Sequence, residues 1–317
     1  MKSFTAGKND DGVRLSRFVQ SVTSNMPTSL LYKSFRNKRI KINGKKADAD
    51  ARICQGDLIE LYINDEFFAE QPQAEKPVKK QPRGKLKIIY EDENFAVIYK
   101  PVHMLCHSDR TGDVSLVEIF CDYLAQKGEY DESTEHTFSP AVCNRLDRGT
   151  EGLVLAAKNY AALRDINAII KNDLISKKYL CITAGAPKNG VYNAFLRHDE
   201  KNNKVTVREN EAAGFKSITT GVTVLKQKGP FALCEIDLIT GRTHQIRAHL
   251  SYLGCPVLGD IKYGNRKMNE RCGFKTQALC AEKLIFKEIP AENTLAYMSG
   301  KEVCLESPEI LKQFERL

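Results

Sequence analysis

Apolar positions in the first sixty residues follow two periods. Leu15, Phe18, Val19 and Val22 recur at helical spacing within residues 13–22, which predicts a short amphipathic helix. Leu30, Leu31 and Phe35 repeat the pattern after Pro27-Thr-Ser, a helix start, and leave Lys33, Arg36, Lys38 and Arg39 to solvent. The period then falls to two in Ile40-Lys-Ile42, which meets an Asn-Gly turn. Gln55-Gly-Asp57 marks another turn before the alternating run 58–63. A small domain of two helices and a sheet is predicted for residues 1–68. Residues 69–85 hold three prolines and almost no apolar bulk, which predicts an extended linker.

From Leu86 the pattern is dominated by strands, at 87–90, 93–100, 152–157, 178–183, 216–225 and 232–238. Helices are predicted at 115–125, 160–172 and 243–253, with a shorter one near 276–279. Strands outnumber helices and do not alternate with them regularly. The expected class for residues 86–317 is therefore α+β, with a mixed, largely antiparallel sheet rather than a doubly wound one.

Charge changes this picture at the front of the chain. The net charge is +8, and residues 1–63 hold 12 Lys and Arg against 6 Asp and Glu, so +6 of it sits in about a fifth of the chain. Gathered at one edge, Lys33, Arg36, Lys38 and Arg39 make either a phosphate-tracking surface or a solvated helix face. Ten cysteines without a single Cys-x-x-Cys pair point to reduced thiols in the cytoplasm. No apolar signal core and no membrane-length apolar run occur.

Several chemistries lose their support. No Gly-x-Gly-x-x-Gly and no phosphate-binding Gly-Lys-Ser or Gly-Lys-Thr loop is present, against nicotinamide-dependent, kinase or GTPase readings. There is no His-Glu-x-x-His, and Lys100-Pro101 favours a strand end and loop before His103 and His107, so no metal site is expected.

The residues with most chemical content lie in Asn144-Arg-Leu-Asp-Arg-Gly-Thr-Glu-Gly152, where a charged core runs into an apolar strand. Asp147 stands between Arg145 and Arg148, and neighbouring cations favour a charged carboxylate. It either caps a turn, bonded to one of these arginines, or serves as a nucleophile or base. Arg145 and Arg148 suit phosphates. Tyr179 shares a strand face with Cys181 and Thr183; it is either a core residue or a platform for a base. Arg242, His244, Gln245, Arg247 and His249 bring more polar groups than one helical turn buries.

These segments carry a family likeness. Lys100-Pro-Val-His-Met-Leu-Cys-His107, Arg145-Leu-Asp-Arg-Gly-Thr-Glu-Gly152, Lys178-Tyr179, Gly241-Arg-Thr-His-Gln-Ile-Arg247 and Gly254-Cys-Pro-Val-Leu-Gly-Asp260 resemble, in order and spacing, the RluA-type pseudouridine synthases. The resemblance implies isomerisation of uridine in RNA without cofactor or metal. Asp147 becomes the catalytic aspartate, Tyr179 the ring stacked on the target base, and Arg247 the partner of the aspartate. Arg145 and Arg148 seat and flip the nucleotide, while Arg242, His244 and Gln245 shape the pocket. Residues 12–63 resemble the S4-like RNA-binding fold, which implies an RNA grip for Lys33, Arg36, Lys38 and Arg39. A basic front domain on a synthase implies large-subunit (23S) ribosomal RNA as substrate rather than transfer RNA. No obligate protein partner is implied, and the chain is expected to be a monomer. The rival reading is a noncatalytic RNA-binding or ribosome-associated protein that keeps the fold.

Two positions depart from the family pattern. Asn144 stands where the family has His, and Glu151 stands where it has Ser. A carboxylate at position 151 is expected to lie near the RNA path and alter substrate preference.

Overall fold

The computed structural model describes residues 1–23, 25–68, 83–109 and 111–317. The front module begins with β1 (Lys2–Thr5), then α1 (Leu15–Val22), α2 (Thr28–Arg36), β2 (Ile40–Ile42), β3 (Lys45–Lys46) and β4 (Leu58–Leu61). Its strands pair antiparallel in the order β1-β4-β2-β3. Leu15, Phe18 and Val19 of α1 and Leu31 and Phe35 of α2 close its core against Ile40, Ile59 and Leu61. Strand β1 escapes the sequence pattern because Phe4 is its one large apolar residue. The predicted linker lies, for residues 69–82, outside the described residues. Where description resumes, Arg83 is bonded to Asp122 and Glu118.

The large sheet is built from β5 (Lys87–Glu91), β6 (Phe95–Lys100), β7 (Ala141–Val142), β8 (Glu151–Ala157), β9 (Ile175–Ala184), β10 (Gly190–Asp199), β11 (Lys204–Arg208), β12 (Lys216–Lys228), β13 (Phe231–Leu238), β14 (Leu279–Phe286) and β15 (Glu302–Cys304). The order is β11-β10-β12-β13-β9-β14-β8-β6-β5, with β15 on β14 and β7 on β8. Among these pairings only β8–β14 is parallel. The expected mixed, largely antiparallel sheet is thus observed.

Period-two alternation sends side chains to two separate cores. Leu153, Leu155 and Ala157 of β8, with Leu180 and Ile182 of β9, pack on the face covered by α4 (Tyr160–Lys171) and α7 (Glu309–Glu315). Val154, Ala156, Tyr179 and Cys181 point to the other face, beneath α3 (Leu116–Gln126) and α5 (Gln245–Tyr252). The polar site lies on this second face. A short helix α6 (Arg266–Cys272) follows the site loop.

One glycine decides how closely β8 and β14 approach. At Gly152, φ is +121° and a Cβ would stand 2.3 Å from the Ala281 carbonyl oxygen. Only glycine fits there.

The expected helix near 276–279 is absent. The Ala278 amide donates to Leu258 and its carbonyl accepts from Ile182, so the segment is drawn into strand pairing before β14. Strands β10, β11 and β14 and helices α6 and α7 were not anticipated. In β10 only Ala194 and Leu196 are buried, a pattern too sparse to stand out from its charged neighbours.

Candidate active site

The site is assembled by three segments that leave the sheet on the α3–α5 face. After β6, Lys100 is wholly buried, and its ammonium donates to the carbonyls of Pro101 (2.9 Å), Met104 (2.9 Å) and Arg148 (3.4 Å). Burial pushes its pKa down to about 8. The His103 amide also donates to the Arg148 carbonyl, at 2.7 Å. Buried Cys106 accepts the Leu146 amide at 3.3 Å. These contacts fix the backbone on both sides of Asp147. Thr150 closes the turn by donating its amide to the Asp147 carbonyl at 2.9 Å.

Asp147 does not pair with either flanking arginine. Arg148 bonds Asp113 at 2.6 Å, and Arg145 is exposed with no ion-pair partner among the described residues. The cation on Asp147 is Arg247, a hundred residues away in sequence, whose Nη1 donates to Oδ2 at 2.6 Å. The turn-capping alternative, in which Asp147 bonds Arg145 or Arg148, is therefore not what is observed.

Arg247 is itself held from behind. Nε and Nη2 donate to the two oxygens of Asp260 at 2.6 and 3.0 Å. The Asp260 carboxylate is fully buried and also accepts the amides of Lys262 and Tyr263. Burial opposes the Arg247 charge, but the two carboxylates outweigh it and hold the guanidinium above its ordinary pKa. For Asp260 burial works in the raising direction and is likewise overcome, mainly by Arg247, so its pKa is lowered. The chain Asp260–Arg247–Asp147 thus ends on a partly exposed carboxylate held by a buried cation.

His244 forms the side wall. Its backbone is left-handed, with φ +53°, at the N-cap of α5. Nε2 lies 3.9 Å from Asp147 Oδ1, and Nδ1 lies 2.9 Å from Tyr263 Oη. Because Tyr263 Oη already accepts the Val205 amide (2.9 Å), its own hydrogen is free for Nδ1. A neutral His244 that accepts this hydrogen at Nδ1 carries its own on Nε2, facing Asp147. Burial lowers the His244 pKa, in keeping with the neutral ring.

Tyr179 is buried on the sheet face below. Its phenol is raised by burial and by the charge of Asp147, so it stays protonated. The hydroxyl has no hydrogen-bond partner among the described residues, and it is not sealed from solvent. A ring with an unpartnered polar tip is suited to stacking on a base.

The remaining expected residues divide. Arg242 is exposed and without an ion-pair partner among the described residues, as Arg145 is. Gln245 is buried with every hydrogen-bonding group taken, by Thr219, Thr220, Thr240 and the Arg242 amide, so it braces the loop and does not present a group to a ligand. His249 is buried against Thr220. Lys33, Arg36, Lys38 and Arg39 are all exposed and have no salt bridge among the described residues.

Both family departures are structural. Asn144 Oδ1 accepts the Leu155 amide at 2.7 Å, completing the edge of β8. Glu151 bonds the Tyr99 hydroxyl, and strand alternation turns it to the face opposite Asp147. Its carboxylate therefore lies away from the Asp147 face of the sheet.

Sequence reasoning missed Lys100, Asp260 and Tyr263 as site residues. The segment Lys100–His107 carried the signal for Lys100, and the glycine-punctuated run Gly254–Gly264 that for Asp260 and Tyr263; at Gly259, φ is +81° and a Cβ would fall 1.9 Å from the Thr276 oxygen.

A sheet covered on both faces thus carries, on one of them, a partly exposed carboxylate backed by a buried Arg–Asp pair. Residues 94–252 match the family described as RNA pseudouridylate synthase. The chain is 30% identical to an uncharacterized RNA pseudouridine synthase of Mycoplasma capricolum over 98% of both chains. It is also 30% identical to ribosomal large subunit pseudouridine synthase C of Rickettsia felis, over 90% of this chain and 93% of that one. The solved structure of human RNA pseudouridylate synthase domain containing 4 has the same fold, at a TM-score of 0.57 and 24% identity over 73% of this chain and 92% of that one. This chain belongs to the RluA-type RNA pseudouridine synthases. Among the described residues no helix is long and apolar enough to cross a membrane.

Proposed function

We propose that this enzyme converts specific uridines of large-subunit (23S) ribosomal RNA to pseudouridine, with Asp147 as its catalytic carboxylate and without a cofactor. The observation that carries the proposal is the 2.6 Å contact between Asp147 and a buried Arg247 anchored on Asp260. The ribosomal substrate rests on likeness to relatives named as large-subunit synthases and on the basic front module. Lys33, Arg36, Lys38 and Arg39, exposed and without a salt bridge among the described residues, supply its phosphate contacts.

Isomerisation breaks the bond between uracil N1 and ribose C1′, forms one from C5 to C1′, removes the C5 proton and returns a proton to N1. Asp147 begins the reaction by one of three routes: attack at C1′, removal of a sugar proton to give a glycal, or addition to the uracil ring. Each develops negative charge on uracil, which the fixed cation of Arg247 stabilises without reorganisation. Reaching the cleft requires that the nucleotide leave its stack. Arg145 and Arg242, exposed and without an ion-pair partner among the described residues, seat the phosphates of the everted nucleotide. Tyr179 stacks on the base.

Asp147→Asn keeps the shape and the phosphate contacts. Loss of pseudouridine formation with RNA affinity retained is the expected result; turnover by the purified variant removes the assignment. Mapping pseudouridine in ribosomal and transfer RNA from cells with and without the gene identifies the substrate.

A further inference from the structure

We infer that the front module is clipped to the catalytic domain in one fixed orientation, through a turn that reads the start of α4. A flexible tether predicts no such contacts. The turn is the short 3-10 segment Lys8–Asp10. Asn9 uses both ends of its amide: Oδ1 accepts the Tyr160 amide, the first of α4, at 3.0 Å, and Nδ2 donates to Glu135 Oε1 at 2.7 Å. The Tyr160 amide is one of the helix-end donors that no helical carbonyl satisfies. Next to it Asp10, 2% exposed, accepts the Thr137 hydroxyl at 2.6 Å and the Gly7 amide at 2.9 Å.

Apolar contacts flank this polar clip. The His136 ring meets Phe4 and Phe18 edge to face, at 5.6 and 5.3 Å between centroids. Phe18 belongs to the core of the front module, so a side chain of the catalytic domain helps complete it. Arg17 of α1 lies over the Tyr160 ring at 5.7 Å. The contacts therefore come from β1, α1 and the Lys8–Asp10 turn on one side, and from residues 135–137 and α4 on the other. A buried carboxylate and a doubly bonded amide tolerate little sliding, because each shift strands a buried polar group.

Residues 135–137 lead within a few residues to β7, Asn144 and the Asp147 turn. The receptor for the clip and the catalytic loop are parts of one connected segment. The basic residues of the front module are thereby held at a set distance from the cleft, and the two bind a structured RNA as a single surface. This consequence rests on the function proposed above. Fixing the geometry in advance removes the ordering cost that a free tether imposes on two-site binding.

The test uses the full chain and three variants. Asn9→Asp places a carboxylate against Glu135. Thr137→Val removes the hydroxyl that serves Asp10. Asn9→Asp combined with Glu135→Gln exchanges donor and acceptor and restores the bond. Small-angle scattering of the wild type is expected to fit one compact particle, with Asn9→Asp and Thr137→Val expanded and the exchanged pair compact again. Hydrogen exchange at the Tyr160 amide should follow the same order. On a folded ribosomal RNA fragment the two disrupting variants should lose about ten-fold or more in kcat/KM, with a short stem-loop modified as before.

A wild-type scattering curve that requires an extended two-body ensemble overturns the inference, as does failure of the exchanged pair to restore compactness. Equal loss on both RNAs, or no loss on either, overturns its functional half. Absence of pseudouridine in every RNA with wild-type enzyme strikes the proposed function instead, and leaves scattering and exchange to decide the docking.

Discussion

Arg247 gives two of its donors to Asp260 and one to Asp147, so the fully buried carboxylate holds the guanidinium by more bonds than the partly exposed one. Removing either acid has a different cost. Asp260→Ala leaves a buried guanidinium half paired and should lower stability by about 3–5 kcal/mol. Asp147→Ala leaves the Asp260 pair intact and should cost clearly less, while abolishing turnover. Chemical denaturation of both variants measures the contrast; equal stability loss would contradict the anchoring role of Asp260.

The tautomer of His244 depends on the Tyr263 hydroxyl. Tyr263→Phe frees Nδ1, lets the ring carry its hydrogen on either nitrogen, and leaves the Val205 amide without its acceptor. The expected result is a kcat lower by about ten-fold with KM little changed. His244→Gln, which keeps a donor, should retain more activity than His244→Ala. Single-turnover kinetics decide it, and unchanged kcat in Tyr263→Phe would remove the tautomer argument.

Glu151→Ser, which restores the family residue, should leave the set of modified uridines unchanged because the side chain lies on the far face of the sheet. Its effect is confined to the Tyr99 hydroxyl and should be about 1 kcal/mol of stability. A shifted pseudouridine map would refute this.

Acid sensitivity should arise in part from His249. Burial lowers its pKa to about 4 from an ordinary value of 6.5. Between those values the unfolded chain binds a proton that the folded one does not, so stability rises with pH there and is lost as pH falls from 6.5 toward 4. His249→Gln should flatten that limb in thermal melts across the same range. An identical slope in wild type and variant would show that other groups control it.

The amphipathic runs at 13–22, 115–125 and 160–172 were legible because one side of each element faces a core, and burial imposes its period on the residues. The charged Arg-Leu-Asp-Arg motif and the Gly-Arg-Thr-His-Gln-Ile-Arg segment stood out for the opposite reason, since their polar groups exceed what packing needs. Strand β14 was hidden because its central position in the sheet follows from long-range pairing with β8 and β9, which local pattern does not encode. The 276–279 segment misled for the same reason.

The linear chain determined the class of fold and the family, and singled out Asp147, Tyr179 and Arg247 as candidate residues, because periodicity and motif chemistry are local properties. Tertiary structure decided that Asp260 stands behind Arg247, that Gln245 is a brace and that Glu151 faces away from Asp147. Those are relations between residues far apart in sequence, set by how strands pair and which face each side chain takes, and a partner chosen by folding leaves no mark in the spacing of its neighbours.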